Sequence, residues 1–415
     1  MPDCGRNLYG GGVMTADQRV PSGRELLSGN VAAAYAVLLA RARVVAAYPI
    51  TPQTILVEKL AEYAPQYGIE YITVESEHSM VAAVRGSTKA GVRSFCATSS
   101  HGLAYAHEQL QTASRERIPL VMVNVNRSFA NPWHLQADLQ DSMSQRDTGW
   151  IQLYCSSPQE ILDTIFCAFK LAENLMLPVM VCYEGFTMSH LGAPVVIPDQ
   201  ETVDRFLPAF NPPKKWLLSA DNPVTHGASA EPEIYSKHQR QIHEAMLNGE
   251  KAFEEIAAEF TQVFGREKVG ALEITGSSEA SLALVTCGAT GETAKTALET
   301  DKNFLLARLH MFRPFPKKAL LQALRTMQKI AIIDRAISFG SGGPIAIELK
   351  DVFYNMPLVA APNILSLIGG LGGTDITPNT IKWAVNHARA QQPVWIKNLY
   401  PQLPDTTIII PEEVK

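Results

Sequence analysis

Charge is scarce in this sequence: Asp, Glu, Lys and Arg make up 19% of it, and the net charge is only −5. That balance gives no basic surface for nucleic acid and no reason to expect an anionic membrane as partner. Cysteine is scarce too. Cys4, Cys96, Cys155, Cys167, Cys182 and Cys287 form no C-x-x-C pair, and most lie in apolar runs such as SFCATSS and LVTCGAT. They read as buried, reduced thiols, which excludes a disulfide framework or a metal or iron–sulfur site built by this chain. Long apolar runs are missing. The densest, Val31 to Ala40, is closed by Arg41 and Arg43, short of the roughly 20 residues a membrane span needs. The opening MPDCGRNLYGGG lacks the basic-then-apolar order of a secretion signal, so a cytoplasmic location is expected. No Walker motif and no complete G-x-G-x-x-G occurs, which leaves ATP and dinucleotide chemistry without support.

What is present is apolar material, 46% of 415 residues, enough for two globular cores. From Ser28 the pattern alternates helix and strand: NVAAAYAVLLARA, RVVAAYPIT, TPQTILVEKLAEYAPQY, IEYITVES, SEHSMVAAVRGSTKAG, VRSFCATSS, HGLAYAHEQLQTASRERI, PLVMVNVNR, then SPQEILDTIFCAFKLAENL and PVMVCYEG. Ser157, Pro158 and Glu160 predict a capping box with Pro in the first helical turn. Strict alternation of this kind predicts a doubly wound α/β domain. Prolines from 208 to 232 mark a connection, and Tyr235 to Phe264 predicts a charged helical stretch, broken near Gly249, that packs across two domains. A second α/β unit begins near Ser281. The expected division is a Gly-rich arm over 1–25, a first domain over 26–208, a linker with helix over 209–268, a second domain over 269–395 and a tail over 396–415.

Ligands of such sheets bind where strands end and helices begin. Four polar loops stand there: YPITPQT, VESEHS, ATSSHG and VNRSFANPWH. Glu77, in a first helical turn, either stabilises the helix dipole or does chemistry. Arg127, just past a buried strand, either presents a fork to a carboxylate ligand or makes a structural salt bridge. Thr51 cannot be told from an ordinary turn residue. His78, His101 and His107 lack zinc spacing, and Ser99-Ser100-His101 lacks a nucleophile elbow. The Gly turns at 288–291, 340–344 and 369–373 read as tight turns, although backbone N–H groups there could face an anion.

Taken together, YPITPQT, ESEHS, ATSSHGL, Asn126-Arg127, DLQDSMSQRDTGWIQLY and FRPFP resemble the α subunit of the 2-oxoacid:ferredoxin (acceptor) oxidoreductases, typified by pyruvate:ferredoxin oxidoreductase. The resemblance runs from about Ser28 to the late 390s. It implies a doubly wound pyrimidine-binding domain for thiamin diphosphate, then a transketolase C-terminal-like α/β domain. It implies that Glu77 hydrogen-bonds N1′ of the aminopyrimidine, so that the 4′-nitrogen can deprotonate C2 of the thiazolium. Thr51 would hydrogen-bond the oxoacid and Arg127 would pair with its carboxylate. Tyr48, Pro49 and Ser100 would line the cofactor, and His101 and Phe129 the substrate.

The G-D-G…N signature for diphosphate and magnesium is missing. The resemblance therefore implies a β subunit holding that end of the cofactor, with coenzyme A and iron–sulfur clusters on γ- and δ-type partners. Ferredoxin, or NAD through a flavin subunit, would accept the electrons. This chain reads SSHGL where pyruvate-type members tend to read SSQGL, and SFANPWHLQ after the arginine. Phe129, Trp133 and His134 thus suggest either repacking or an aryl oxoacid such as phenylglyoxylate in place of pyruvate. Two other readings stay open: a non-catalytic scaffold subunit of such a complex, and a free-standing nucleotide-binding regulator.

Overall fold

Short runs of β-branched and small apolar residues, buried on both faces, make the two main sheets. The computed structural model describes residues 19–390, except 222, 355, 356 and 358–360, and also residues 406–408. Cys4, residues 1–18 of the expected arm and most of the expected tail lie outside the described residues.

The first half alternates β1 (Gly23–Leu27), α1 (Gly29–Leu39), β2 (Val44–Ala47), α2 (Thr54–Tyr67), β3 (Glu70–Thr73), α3 (Glu77–Lys89), β4 (Ser94–Thr98), α4 (Ser100–Tyr105), α5 (His107–Arg115) and β5 (Val121–Asn126). It continues with α6 (Gln140–Met143), β6 (Ile151–Tyr154), α7 (Pro158–Leu175), β7 (Val179–Glu184), β8 (Ala193–Ile197) and α8 (Gln200–Phe206). After the linker come α9 (Pro232–Leu247) and α10 (Gly249–Phe264). The second half is β9 (Leu272–Gly276), β10 (Leu282–Cys287), α11 (Thr290–Leu298), β11 (Leu305–Leu309), β12 (Met311–Arg313), α12 (Lys317–Leu324), β13 (Lys329–Asp334), α13 (Pro344–Val352), β14 (Asn363–Ile368), α14 (Pro378–Ala390) and β15 (Thr406–Ile408).

The first sheet has the order β12-β6-β7-β5-β4-β2-β3, the second β15-β14-β13-β10-β11-β9. Both are parallel except at one edge, where β12 runs antiparallel to β6 and β9 to β11. This is the doubly wound α/β architecture that the alternation predicts. In the first sheet, β3 lies on one side of β2 and β4 on the other, so the loops after β2 and β4 diverge and leave a crevice.

Several expectations need correction. The strand β1 begins at Gly23, inside the expected arm, and pairs with β8. The stretch HGLAYAHEQLQTASRERI runs as two helices with a turn at Ala106. The second α/β unit is not confined to its own sheet: Met311–Arg313, at the FRPFP motif, leaves the second sheet and joins the edge of the first. Residues 406–408 of the expected tail form an edge strand beside β14. The α10 stripe, Phe253, Ile256, Ala257 and Phe260, packs mainly into the first domain's core, with only its start reaching the second. Ser157 accepts from Glu160 N, as a capping box requires, but the Glu160 carboxylate turns to Ser156 N and to Arg308.

That last departure joins the domains. Arg308 on β11 is buried and makes a two-pronged bond to Glu160 at 2.8 and 3.0 Å, while its Nε reaches Glu273 at 2.5 Å. Burial alone would raise the Glu160 carboxyl, but Arg308 holds it well below the usual range. His310 beside it is buried and neutral: burial pushes its imidazole down to about 3, with Thr164 and the Gly270 carbonyl at its two nitrogens. One apolar cluster runs from Met80 and Leu110 through Phe312 to Ile332 and Leu349, so the two units share a core. Among the described residues, no helix is long and apolar enough to cross a membrane. Arg308→Met takes the guanidinium from the largely enclosed Glu160 carboxylate, leaving it Ser156, while Glu273 keeps Lys295; a loss of about 3–5 kcal/mol in unfolding free energy is expected from urea denaturation. A loss below about 1 kcal/mol would mean that Ser156 and water suffice for Glu160 without Arg308.

Candidate active site

Three strand ends and one helix start converge at the crevice. Ser76 caps α3 by accepting from Ser79 N, which puts Glu77 in the first turn. Glu77 is 5% exposed. Its carboxylate accepts from its own N–H, and no other side chain among the described residues hydrogen-bonds it. Gly102 on α4 lies against it: a Cβ there would overlap Glu77 Oε1 and sit 2.6 Å from Thr98 Oγ1. Thr98 Oγ1 and Ser99 Oγ, at the end of β4, are buried without partners. Burial pushes the Glu77 carboxyl above the usual range, opposed by its own N–H and by the Arg127 charge.

Arg127 follows β5 and is equally buried. Its Nη1 donates to the Thr51 carbonyl at 2.6 Å, and its other guanidinium N–H groups have no partner among the described residues. So the Thr51 peptide, not its exposed hydroxyl, meets Arg127. Gln53 braces the same loop by donating to the carbonyls of Tyr48, at 3.0 Å, and Ala97, at 3.2 Å. Tyr48 and Pro49 sit on its exposed side. Ser100 is wholly buried, with φ +50°, and donates to the Ser128 carbonyl at 2.8 Å.

His101, Phe129 and Trp133 gather at the mouth. The His101 ring meets Phe129 edge-on at 5.2 Å and lies parallel to Trp133 at 6.3 Å. Trp133, 66% exposed, lies 5.5 Å from the Arg127 guanidinium. His134 does not join them: its Nδ1 accepts from Gln136 N within its own loop.

No motif marks Gln53, Thr98, Gly102 or Asp141 in the sequence, and Ser99 enters there only as a rejected nucleophile. Gly102 was visible in SSHGL as a residue without a side chain beside a first-turn acid. Asp141 is one charge among several in the polar stretch DLQDSMSQRD, with no pattern to set it apart. It is wholly buried and accepts from Ser100 N, Arg127 N, Ser142 N, Asn124 Nδ2 and Asn126 Nδ2. Burial pushes its carboxyl up to about 6, against the pull of those donors.

The Gly turns face internal carboxylates: Gly372 N, in the turn at 369–373, donates to Asp138 Oδ2 at 2.9 Å, and the turn at 288–291 faces Glu184. Glu184, at the end of β7, accepts from Ala289 N at 3.0 Å and lies 3.4 Å from Arg335 Nη1. The turn at 340–344 closes over Asp334, which accepts from Ile345 N and Ala346 N. Among the described residues, one cluster could ligate a metal, Cys155, Glu160 and His310, but its carboxylate and imidazole are taken by the domain-joining bonds.

Two packed, mostly parallel α/β sheets, with a buried acid at the first one's switch point, match the fold of a thiamin diphosphate-binding domain pair. The comparisons place the chain in a family of such folds. A family model described as pyruvate flavodoxin/ferredoxin oxidoreductase, thiamine diP-binding, matches residues 35–258, and one for pyruvate:ferredoxin oxidoreductase core domain II matches residues 280–381. Ketoisovalerate oxidoreductase subunit VorA of Pyrococcus abyssi is 41% identical over 368 residues, covering 86% of this chain and 92% of its own. Pyruvate synthase subunit PorA of Methanocaldococcus jannaschii is 40% identical over 385 residues, covering 90% and 97%. A solved 2-oxoglutarate:ferredoxin oxidoreductase from Magnetococcus marinus shares the fold, with a TM-score of 0.67 and 20% identity over 90% of this chain; the chain spans 66% of that one. A split-gene transketolase shares it at a TM-score of 0.52 and 10% identity, over 87% and 98% of the two chains. The chain belongs to the 2-oxoacid:ferredoxin oxidoreductase family, among its VorA- and PorA-type α subunits.

Because the folded Glu77 carboxyl titrates above its ordinary 4.5, its ionised form costs stability above the folded value and nothing below the unfolded one. Glu77→Gln is therefore expected to melt higher than the parent at neutral pH without cofactor, the gap closing as pH falls towards 4.5. Thermal melts across pH check this; a lower melting point at neutral pH would mean that Arg127 more than offsets burial.

Proposed function

We propose that this chain is the α subunit of a cytoplasmic, coenzyme A-acylating 2-oxoacid oxidoreductase, supplying the pyrimidine side of a thiamin diphosphate site and the clamp for the substrate carboxylate. Glu77 carries the reading: a buried carboxylate without a side-chain partner, floored by Gly102, with the orphaned Thr98 hydroxyl against the same floor. A ring with donor and acceptor nitrogens fits that surround, and among the described residues no cluster of metal ligands for a diphosphate-bound cation lies beside it. When bound, thiamin diphosphate supplies a carbon acid and the electron sink for loss of carbon dioxide.

Glu77 holds a proton against ring nitrogen N1′, and its raised carboxyl brings that proton nearer to exchange at physiological pH. Arg127 offers its unpartnered N–H groups to the oxoacid carboxylate, with one arm fixed on the Thr51 carbonyl. Thr51 adds a hydroxyl contact to the oxoacid. Tyr48, Pro49 and Ser100 border the cofactor, and His101 and Phe129 border the substrate. In this reading residues 26–208 form the pyrimidine-binding domain and 269–395 the transketolase C-terminal-like domain.

The rings of His101, Phe129 and Trp133 beside Arg127 suit a planar acyl group by edge-to-face contact. We therefore favour an aryl oxoacid such as phenylglyoxylate over pyruvate. The relatives named for ketoisovalerate and pyruvate keep aliphatic oxoacids as the competitors. A β subunit would grip diphosphate and magnesium. Coenzyme A and iron–sulfur clusters would sit on γ- and δ-type partners, with ferredoxin or a flavin subunit reducing NAD as acceptor. In support, the relatives are named as subunits, and the solved 2-oxoglutarate enzyme was obtained with coenzyme A and succinyl-CoA bound.

In the complex reconstituted with its partner subunits, Glu77→Gln is expected to cut turnover by about 10²–10⁴ with the far-ultraviolet dichroism unchanged. Undiminished turnover would leave the chain a scaffold. Steady-state rates should give a higher kcat/KM for phenylglyoxylate than for pyruvate, and Trp133→Ala should narrow the gap. A large preference for pyruvate sinks the aryl assignment while leaving the role of Glu77 standing.

A further inference from the structure

The strand β5, VMVNVN, alternates. Val121, Val123 and Val125 face one core, while Met122 belongs to the other and Asn124 and Asn126 direct their amides to Asp141. Asp141 therefore collects donors from three separate segments. Its Oδ1 accepts from Asn126 Nδ2 at 2.7 Å and Ser142 N at 2.8 Å. Its Oδ2 accepts from Ser100 N at 2.9 Å, Asn124 Nδ2 at 3.0 Å and Arg127 N at 3.1 Å.

Two of those donors belong to the site. Ser100 N opens α4, the helix that sets His101 at the mouth and Gly102 under Glu77. Arg127 N is the backbone of the clamp itself. One oxygen, Oδ2, thus fixes where the clamp stands relative to the floor beneath Glu77. Ser100, at φ +50°, is held in the left-handed region by its bonds to Asp141 and to the Ser128 carbonyl.

We infer that Asp141 is a positioning residue for the oxoacid: through Arg127 N and Ser100 N it sets the spacing between the carboxylate clamp and the Glu77 cradle, without touching the substrate. The inference rests on the proposed role of Arg127. An asparagine cannot replace it, because either orientation of the amide turns an N–H₂ group onto at least two N–H donors.

The test uses the reconstituted complex with pyruvate and phenylglyoxylate, and Arg308→Met as a control that loses stability at the domain seam without touching the donors of Asp141. Asp141→Asn is expected to raise KM for the better oxoacid about tenfold, the equivalent of roughly 1.4 kcal/mol, with kcat changed less than about threefold. Arg308→Met should leave KM within about twofold. Should Asp141→Asn not fold, Asn124→Ala removes one donor from the same oxygen and is expected to raise KM about two- to fivefold. An unchanged KM, or a rise matched by Arg308→Met, overturns the inference. Failure of the underlying reading looks different: there Glu77→Gln keeps full turnover, whatever Asp141→Asn does.

Discussion

A carboxylate with no access to water has to be solvated by the protein, and at Asp141 that requirement organises the crevice end of the first domain. Burying an unpaired charge costs several kcal/mol, and only an inward-facing set of donors offsets it. Here the donors come from the end of β4, from β5 and its exit loop, and from the first turn of α6. These segments are distant in sequence and cannot satisfy the carboxylate unless they meet at one point. Glu77 is the contrasting case: also buried, but left without such donors. The protein thus solvates one acid fully and withholds solvation from its neighbour, and the second is the one free to engage a ligand.

Much of this was legible in the sequence, because periodicity reports which faces are buried. Strands such as SFCAT and PVMVCYEG, and helices such as SPQEILDTIFCAFKLAENL, fall where their patterns predict. The loops carrying Thr51, Glu77, Ser100 and Arg127 do converge on one crevice. What pattern could not reveal is pairing across long separations. The sequence around Met311–Arg313 looks like the continuation of a second-domain strand, yet its partner is β6, far upstream. Glu160 satisfies a local helix-start rule, but a buried arginine nearly 150 residues on outweighs the cap. Asp141 sits in a polar-looking stretch, and only tertiary packing makes it the most enclosed charge at the site.

The two domains are held by polar as well as apolar contacts. The shared cluster through Phe312 and Ile332 supplies burial, while Glu160, Arg308, Glu273 and Lys295 form a connected ion network across the seam. Apolar surfaces slide with little directional preference, whereas a forked guanidinium–carboxylate pair fixes angle and distance. The network therefore defines how α7 of the first domain meets β9 and β11 of the second.

Glu184 adds a consequence of its own. The second sheet also has a crevice at its switch point, between the loops after β10 and β13, of the sort that elsewhere receives a soluble anion. Here the first domain's carboxylate plugs it, held by Ala289 N and Arg335. A tethered ligand of this kind has an effective local concentration that dilution cannot lower. The crevice thereby serves as a latch between the domains, closed by a carboxylate of the same chain.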